Sequence, residues 1–154
     1  MSNQEEIKGY KRWEETVSSH IKADSVWRVE AYRLSLFAGE LGWHDTEKLI
    51  ANHHMRGVAD QLYRALGSIS ANIAEGYSRG TSKDRAHFYE YALGSARESL
   101  TWYHHTKHIL SEQALNHRME LLTQIIRLLL VMVPQQRGRT IREDGVDYTP
   151  DSTQ

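Results

Sequence analysis

Apolar residues recur along this chain at intervals of three and four over four successive stretches, the period of a helix with one buried face. In the first, Trp27, Ala31, Leu34, Ala38 and Leu41 predict a helix near 26–42. Asp24 or Ser25 is placed to cap its start, and Gly39 and Gly42 suit its stop. The second stretch opens near Asp45 or Thr46 and carries Ala51, Met55, Val58, Leu62, Leu66, Ile69 and Ile73, predicting a helix over 46–75. The third begins at Thr81-Ser82-Lys83-Asp84, a hydroxyl followed three residues later by an acid, which is a capping-box pattern; it predicts a helix over 82–110. The fourth, with Leu115, Met119, Leu122, Ile126 and Leu129 as its seam, predicts a helix over 112–133, ended by Pro134. Links this short place consecutive helices antiparallel. The fold expected is all-α, an antiparallel up-down four-helix bundle over 25–134.

Two flanking segments remain. Over residues 1–24, Ile7, Tyr10, Val17 and Ile21 can share one face of a short helix, although Gly9 and two serines weaken it. Residues 135–154 are polar, contain Gly138, Gly145 and Pro150, and are expected to be a disordered tail.

The third helix departs from the pattern of the others. Its polar positions fall on one side, while Phe88, Tyr89, Tyr91, Ala92, Leu93, Ala96, Leu100, Trp102, Tyr103 and Ile109 spread over the rest. That apolar arc is about 200° wide, against roughly 100° for a helix that faces only its own core. It calls for a second packing partner, and Tyr91, Trp102 and Ile109 at one edge are the interface candidates. The run Leu128–Val133 is apolar all round and asks for cover on several sides as well.

Composition excludes more than it proposes. The absence of cysteine rules out disulfides, thiolate metal sites and a cysteine nucleophile. The N-terminal MSNQEEIKGYKRWEE lacks the apolar core of a signal peptide, and Leu128–Val133 is too short to span a bilayer. A cytoplasmic location, with no membrane partner, is therefore expected. A net charge of −1 argues against coating nucleic acid by charge alone.

Across the end of the second helix and the residues after it, Gln61–Arg79 reads QLYRALGSISANIAEGYSR: Ser68-Ile69, then Ala71-Asn72-Ile73-Ala74-Glu75-Gly76-Tyr77, then Arg79. A polar loop with Ser82 and Asp84 follows, then Phe88, then Ala92-Leu93-Gly94-Ser95 with Glu98. This pattern, with Val26-Trp27 upstream, resembles a bacterial four-helix-bundle family first noticed in intervening sequences of large-subunit ribosomal RNA genes. The same family includes the accessory variability determinant of diversity-generating retroelements. The resemblance implies a homopentamer whose partner is another protein, such as a reverse transcriptase, or alternatively RNA or DNA bound directly and weakly. Two departures stand out. Ser70 replaces the proline usual in the family, and residues 24–134 hold 12 Lys/Arg against 12 Asp/Glu where the retroelement proteins are strongly basic.

The motif residues Asn72, Glu75, Gly76, Tyr77 and Arg79 admit two readings. In the structural one, Glu75 pairs with Arg64 or Arg97, Asn72 binds backbone at the turn, and Gly76 supplies the positive φ of a helix stop. In the other, Asn72, Glu75 and Arg79 form a ligand or partner site. Arg79, Lys83 and Arg85 cluster beside Tyr77 and are the candidate nucleic-acid surface. His104 and His108 have the i, i+4 spacing of two metal ligands, with His105, His53 and His54 as further candidates. No Glu-x-x-His pair, phosphate loop or nucleophile elbow is present. Neither metal, cofactor nor catalysis is expected.

Overall fold

The computed structural model describes residues 3–136, with side chains over 9–136, and the two short segments 141–143 and 146–148. Helices α1 (Asn3–Thr16) and α2 (Ser19–Ala23) precede four long ones: α3 (Glu30–Ile50), α4 (Arg56–Tyr77), α5 (Ser82–His105) and α6 (Glu112–Gln136). Each long helix packs on its chain neighbours, and α3 closes against α6. At one end, Asp45 near the close of α3 meets Tyr103 near the close of α5 and Arg118 near the start of α6. At the other, Ala31, Tyr77, Tyr89, Leu128 and Met132 line one groove. Helices α3 and α5 therefore run opposite to α4 and α6, as an up-down bundle requires. No helix among the described residues is long and apolar enough to cross a membrane.

The apolar seams supply the core. Leu62, Leu66, Ile69 and Ile73 from α4 are fully buried, with Ala31 and Ala38 from α3 and Leu122, Ile126 and Leu129 from α6. Several boundaries differ from those the period predicts. Asp24 does cap a helical turn, accepting from Val26 N at 3.0 Å, but that turn is a 3₁₀ segment, Ser25–Arg28, and α3 begins after it. Gly42 does not stop α3, which continues eight residues to Ile50. It is buried because the Leu66 side chain packs where a Cβ would stand. The break falls instead at Asn52, whose side chain accepts from His54 N at 3.0 Å, so α4 starts ten residues later than predicted. Pro134 lies inside the last turn of α6 rather than beyond it. Its missing N–H frees one carbonyl, and the helix runs only two residues further. Gln135 and Gln136, assigned to the tail from sequence, are thus helical. Two short strands, β1 (Ile141–Glu143) and β2 (Val146–Tyr148), pair antiparallel where a disordered tail was expected, in register Arg142↔Asp147. The remainder of that tail lies outside the described residues.

Asp45 shows why the boundary moved. It occupies the next position on the α3 stripe and is 1% exposed. Arg118 donates to it through Nε at 2.8 Å and Nη2 at 3.1 Å, and Tyr103 Oη donates at 2.7 Å. Burial, reinforced by the adjacent carboxylate, pushes the Tyr103 hydroxyl far above the ordinary tyrosine range. Three helices are thereby tied through one carboxylate. Replacing Arg118 with alanine would leave that charge buried with a single donor, so it should cost about 3–5 kcal/mol in urea unfolding. The double variant Asp45→Ala/Arg118→Ala should cost less than the sum of the two single changes, because no orphaned charge remains.

Candidate functional site

The motif Asn72, Glu75, Gly76, Tyr77 and Arg79 occupies the last two turns of α4 and the loop into α5. Asn72 faces back along its own helix rather than into the turn. Its Nδ2 donates to the Ser68 carbonyl at 2.8 Å and to Ser68 Oγ at 2.9 Å. Ser95 Oγ of α5 donates to the same hydroxyl at 2.9 Å, and Ser99 Oγ to the Ser95 carbonyl at 2.8 Å. The motif asparagine thus orients a polar bridge between α4 and α5. Glu75 pairs with Arg79, four residues on, and not with Arg64 or Arg97; Arg64 is bound to Asp60. Both members of the Glu75–Arg79 pair are about half exposed, so the pair adds about 0–1 kcal/mol.

Gly76 needs no positive φ. It lies within α4, buried, and a Cβ there would meet the Tyr89 ring at 2.8 and 2.9 Å and Phe88 Cβ at 3.0 Å. The glycine admits α5 to close range. Tyr77 closes the helix and lines the end groove with Arg85, Tyr89 and Met132.

In the loop, Arg79 lays its guanidinium over the Phe88 ring, 4.5 Å from its centroid. Arg85 donates from Nε to the Arg79 carbonyl at 2.8 Å, while Thr81 caps α5 by accepting from Asp84 N at 3.2 Å. Lys83 is exposed. Arg79, Lys83 and Arg85 are brought together, but two of them also hold the loop in shape. With Glu75 and Asp84 beside them, one net positive charge per chain remains.

The interface candidates separate. Tyr91 is 51% exposed and hydrogen-bonded to His87 Nε2 at 2.7 Å. Trp102 is half-buried in its own chain, its Nε1 donating to Glu98 Oε1 at 3.1 Å. Ile109, at 37% exposure, lies past a 3₁₀ turn, Thr106–His108, and so leaves the helical arc it was assigned to. The same turn holds His108, so His104 and His108 do not share one continuous α-helix. Among the described residues, no group of three or more His, Asp or Glu side chains is placed to hold a metal. Leu130 and Val131, expected to be covered, are exposed. Sequence reasoning missed the ring pair of Trp43 and Tyr63, exposed with centroids 5.9 Å apart beside a shallow α3–α4 groove. Large aromatics off the apolar stripe were its signal.

Adding a methyl at Gly76 forces either the Tyr89 ring or the helix pair to move. Gly76→Ala should therefore cost about 1–3 kcal/mol, read as a lower thermal midpoint.

The comparisons match this geometry. The family model for the 23S rRNA-intervening sequence protein matches residues 40–130. The crystal structure of a protein of unknown function from the S23 ribosomal protein family of Bacteroides thetaiotaomicron aligns with a TM-score of 0.62 at 21% identity. That alignment covers 67% of this chain and 97% of the other, and it speaks for the fold. No curated protein matches the chain. With more than half its length matched by the family model, and the bundle shared, the chain belongs to the 23S rRNA-intervening sequence protein family.

Proposed function

We propose that this protein is a non-catalytic, cytoplasmic binding module that works as a homo-oligomer, its copies meeting through the outer face of α5. The observation that carries this reading is the apolar surface its own bundle leaves in water. Tyr91 on α5 is exposed, Trp102 is half-covered, and Trp43 on α3, Tyr63 on α4 and Leu130 and Val131 on α6 are exposed. Large apolar side chains left exposed by a chain's own core are candidates for interaction surfaces. The family resemblance supports a ring of five copies, and a protein partner such as the reverse transcriptase of a diversity-generating retroelement. Analytical ultracentrifugation at micromolar concentration should give a species several times the 17.8 kDa chain. Tyr91→Asp should return it to a folded monomer, because a charge in a desolvated contact has no partner. A monomeric wild type would end this reading.

Direct binding of RNA or DNA is the second reading, favoured by the family's link to ribosomal RNA intervening sequences and by the Arg79–Lys83–Arg85 loop. Its charge is small: a ring of five would gather about five net positive charges from these loops, so binding would be weak and strongly salt-dependent. A mobility shift is expected at low ionic strength and should be largely lost near physiological salt. Lys83→Gln should weaken it without disturbing the loop that Arg79 and Arg85 hold. No shift at low salt, with the oligomer intact, leaves the protein-partner reading alone.

A further inference from the structure

At the end of the bundle where α4 closes and α3 and α5 begin, the chain leaves a groove of about 650 Å³. That is room enough for a small organic molecule. Ala31 of α3 and Leu128 and Met132 of α6 give it an apolar lining. Polar groups reach it from the other two helices: Tyr77 in the last turn of α4, and Arg85 and Tyr89 in the first two turns of α5.

Tyr89 is only 4% exposed, yet among the described residues its hydroxyl has no hydrogen-bond partner. No fully enclosed side-chain oxygen or nitrogen among those residues goes without one. The Tyr89 hydroxyl is therefore not sealed in protein but opens onto the groove that its side chain lines. A donor held out of water without a partner is costly, and an acceptor in the groove would satisfy it. Burial pushes this hydroxyl above the ordinary tyrosine range, and the nearby Arg85 charge offsets that only in part, so it stays a neutral donor.

Arg85 is half-buried and spends its Nε on the Arg79 carbonyl. Among the described residues its two terminal nitrogens have no partner, and Glu30 on the same groove does not pair with it. The start of α3 adds two donors. Val29 supplies no side-chain cap there, and the N–H groups of Glu30 and Ala31 are unpaired among the described residues. Phenol, guanidinium and helix start thus all donate. A carboxylate only accepts, and a guanidinium binds both of its oxygens at once. One unpaired cation suits one negative charge, and exposed Glu30 opposes a second.

We propose that this end groove binds a small monocarboxylate with an apolar body, of the medium-chain fatty acid kind. The head takes Arg85 and the Tyr89 hydroxyl beside the start of α3, and the body lies along Leu128 and Met132 of α6. The site belongs to one chain, so it stands whether or not copies assemble through α5.

The probe is sodium decanoate, titrated calorimetrically into the full-length protein below its micelle concentration. One molecule per chain should bind, with a dissociation constant below about 1 mM. Decyltrimethylammonium, with the same tail and the opposite charge, should bind at least about tenfold more weakly. Tyr89→Phe should weaken decanoate at least about fivefold. It should leave the thermal midpoint of the free protein unchanged or higher, because the hydroxyl has no partner in the chain to lose. In methyl spectra decanoate should shift Leu128 and Met132, and not Met55 at the other end of α4. Four results would overturn the proposal: no saturable binding, equal binding of the cation, a Tyr89→Phe chain that binds like wild type, or equal shifts at Met55 and Met132. A Tyr89→Phe chain without a cooperative melt would also overturn it, since the hydroxyl would then be holding the fold.

Discussion

A single buried carboxylate fixes which helices meet in this bundle. Asp45 is almost wholly removed from water, and a charge so placed is tolerable only with donors in position. Those donors come from Tyr103 on α5 and Arg118 on α6, so the site is satisfied only when α3, α5 and α6 are all in register. A slide of any one by a turn would separate the charges by about 5 Å and leave an ion in an apolar interior. The leucine and isoleucine seams supply most of the attraction, but they tolerate slippage, because one apolar residue packs much like another. The ion pair does not.

The second constraint is close approach along α4 and α5. The buried face of α5 is mostly small, with Ala86, Ala92, Ala96 and Ser99 alternating with Tyr89 and Tyr103. Opposite them, α4 offers Gly76 and the Ser68 hydroxyl. Small residues let the backbones come near, and the Asn72–Ser68–Ser95 bridge uses that nearness to satisfy polar groups at the seam. The motif that carries the family resemblance is thus explained by packing over much of its length. What remains for function is the rim it positions: Arg79 over Phe88, Lys83 exposed, and Tyr91 on the adjacent turn.

The number of helices and most of the core were legible because the period of three and four is local. Leu62, Leu66, Ile69 and Ile73 can be placed inside without knowing what faces them. Gly42 and Gly76 could not be read this way. A glycine that ends a helix and one that admits a neighbour look alike until Leu66 or Tyr89 is known to stand opposite. Asp45 was legible in half: a carboxylate on the stripe of Ala31, Ala38 and Leu41 announces a buried partner, but Arg118 lies 73 residues away. Capping offered the nearer explanation for an acid at that point. The spacing of His104 and His108 assumed one continuous α-helix, whereas α5 ends at His105 and tightens into a 3₁₀ turn at Thr106. Of the candidate site, the residues were legible and their charge balance was not, because Glu75 was assigned to other arginines.

The arrangement of the exposed apolar residues bears on how copies would meet. Tyr91 stands on α5, the Trp43–Tyr63 pair on α3 and α4, and Leu130 and Val131 on α6. A two-fold contact joins a patch to itself and covers one of these sets in each copy, leaving the others in water. A head-to-tail contact joins two different patches, so each copy buries one set on either side, and repetition closes into a ring when the rotation allows. Burial of apolar area is the driving force in either case. The contact that removes more of it from water is the heterologous one, which is the geometry that the proposed ring needs.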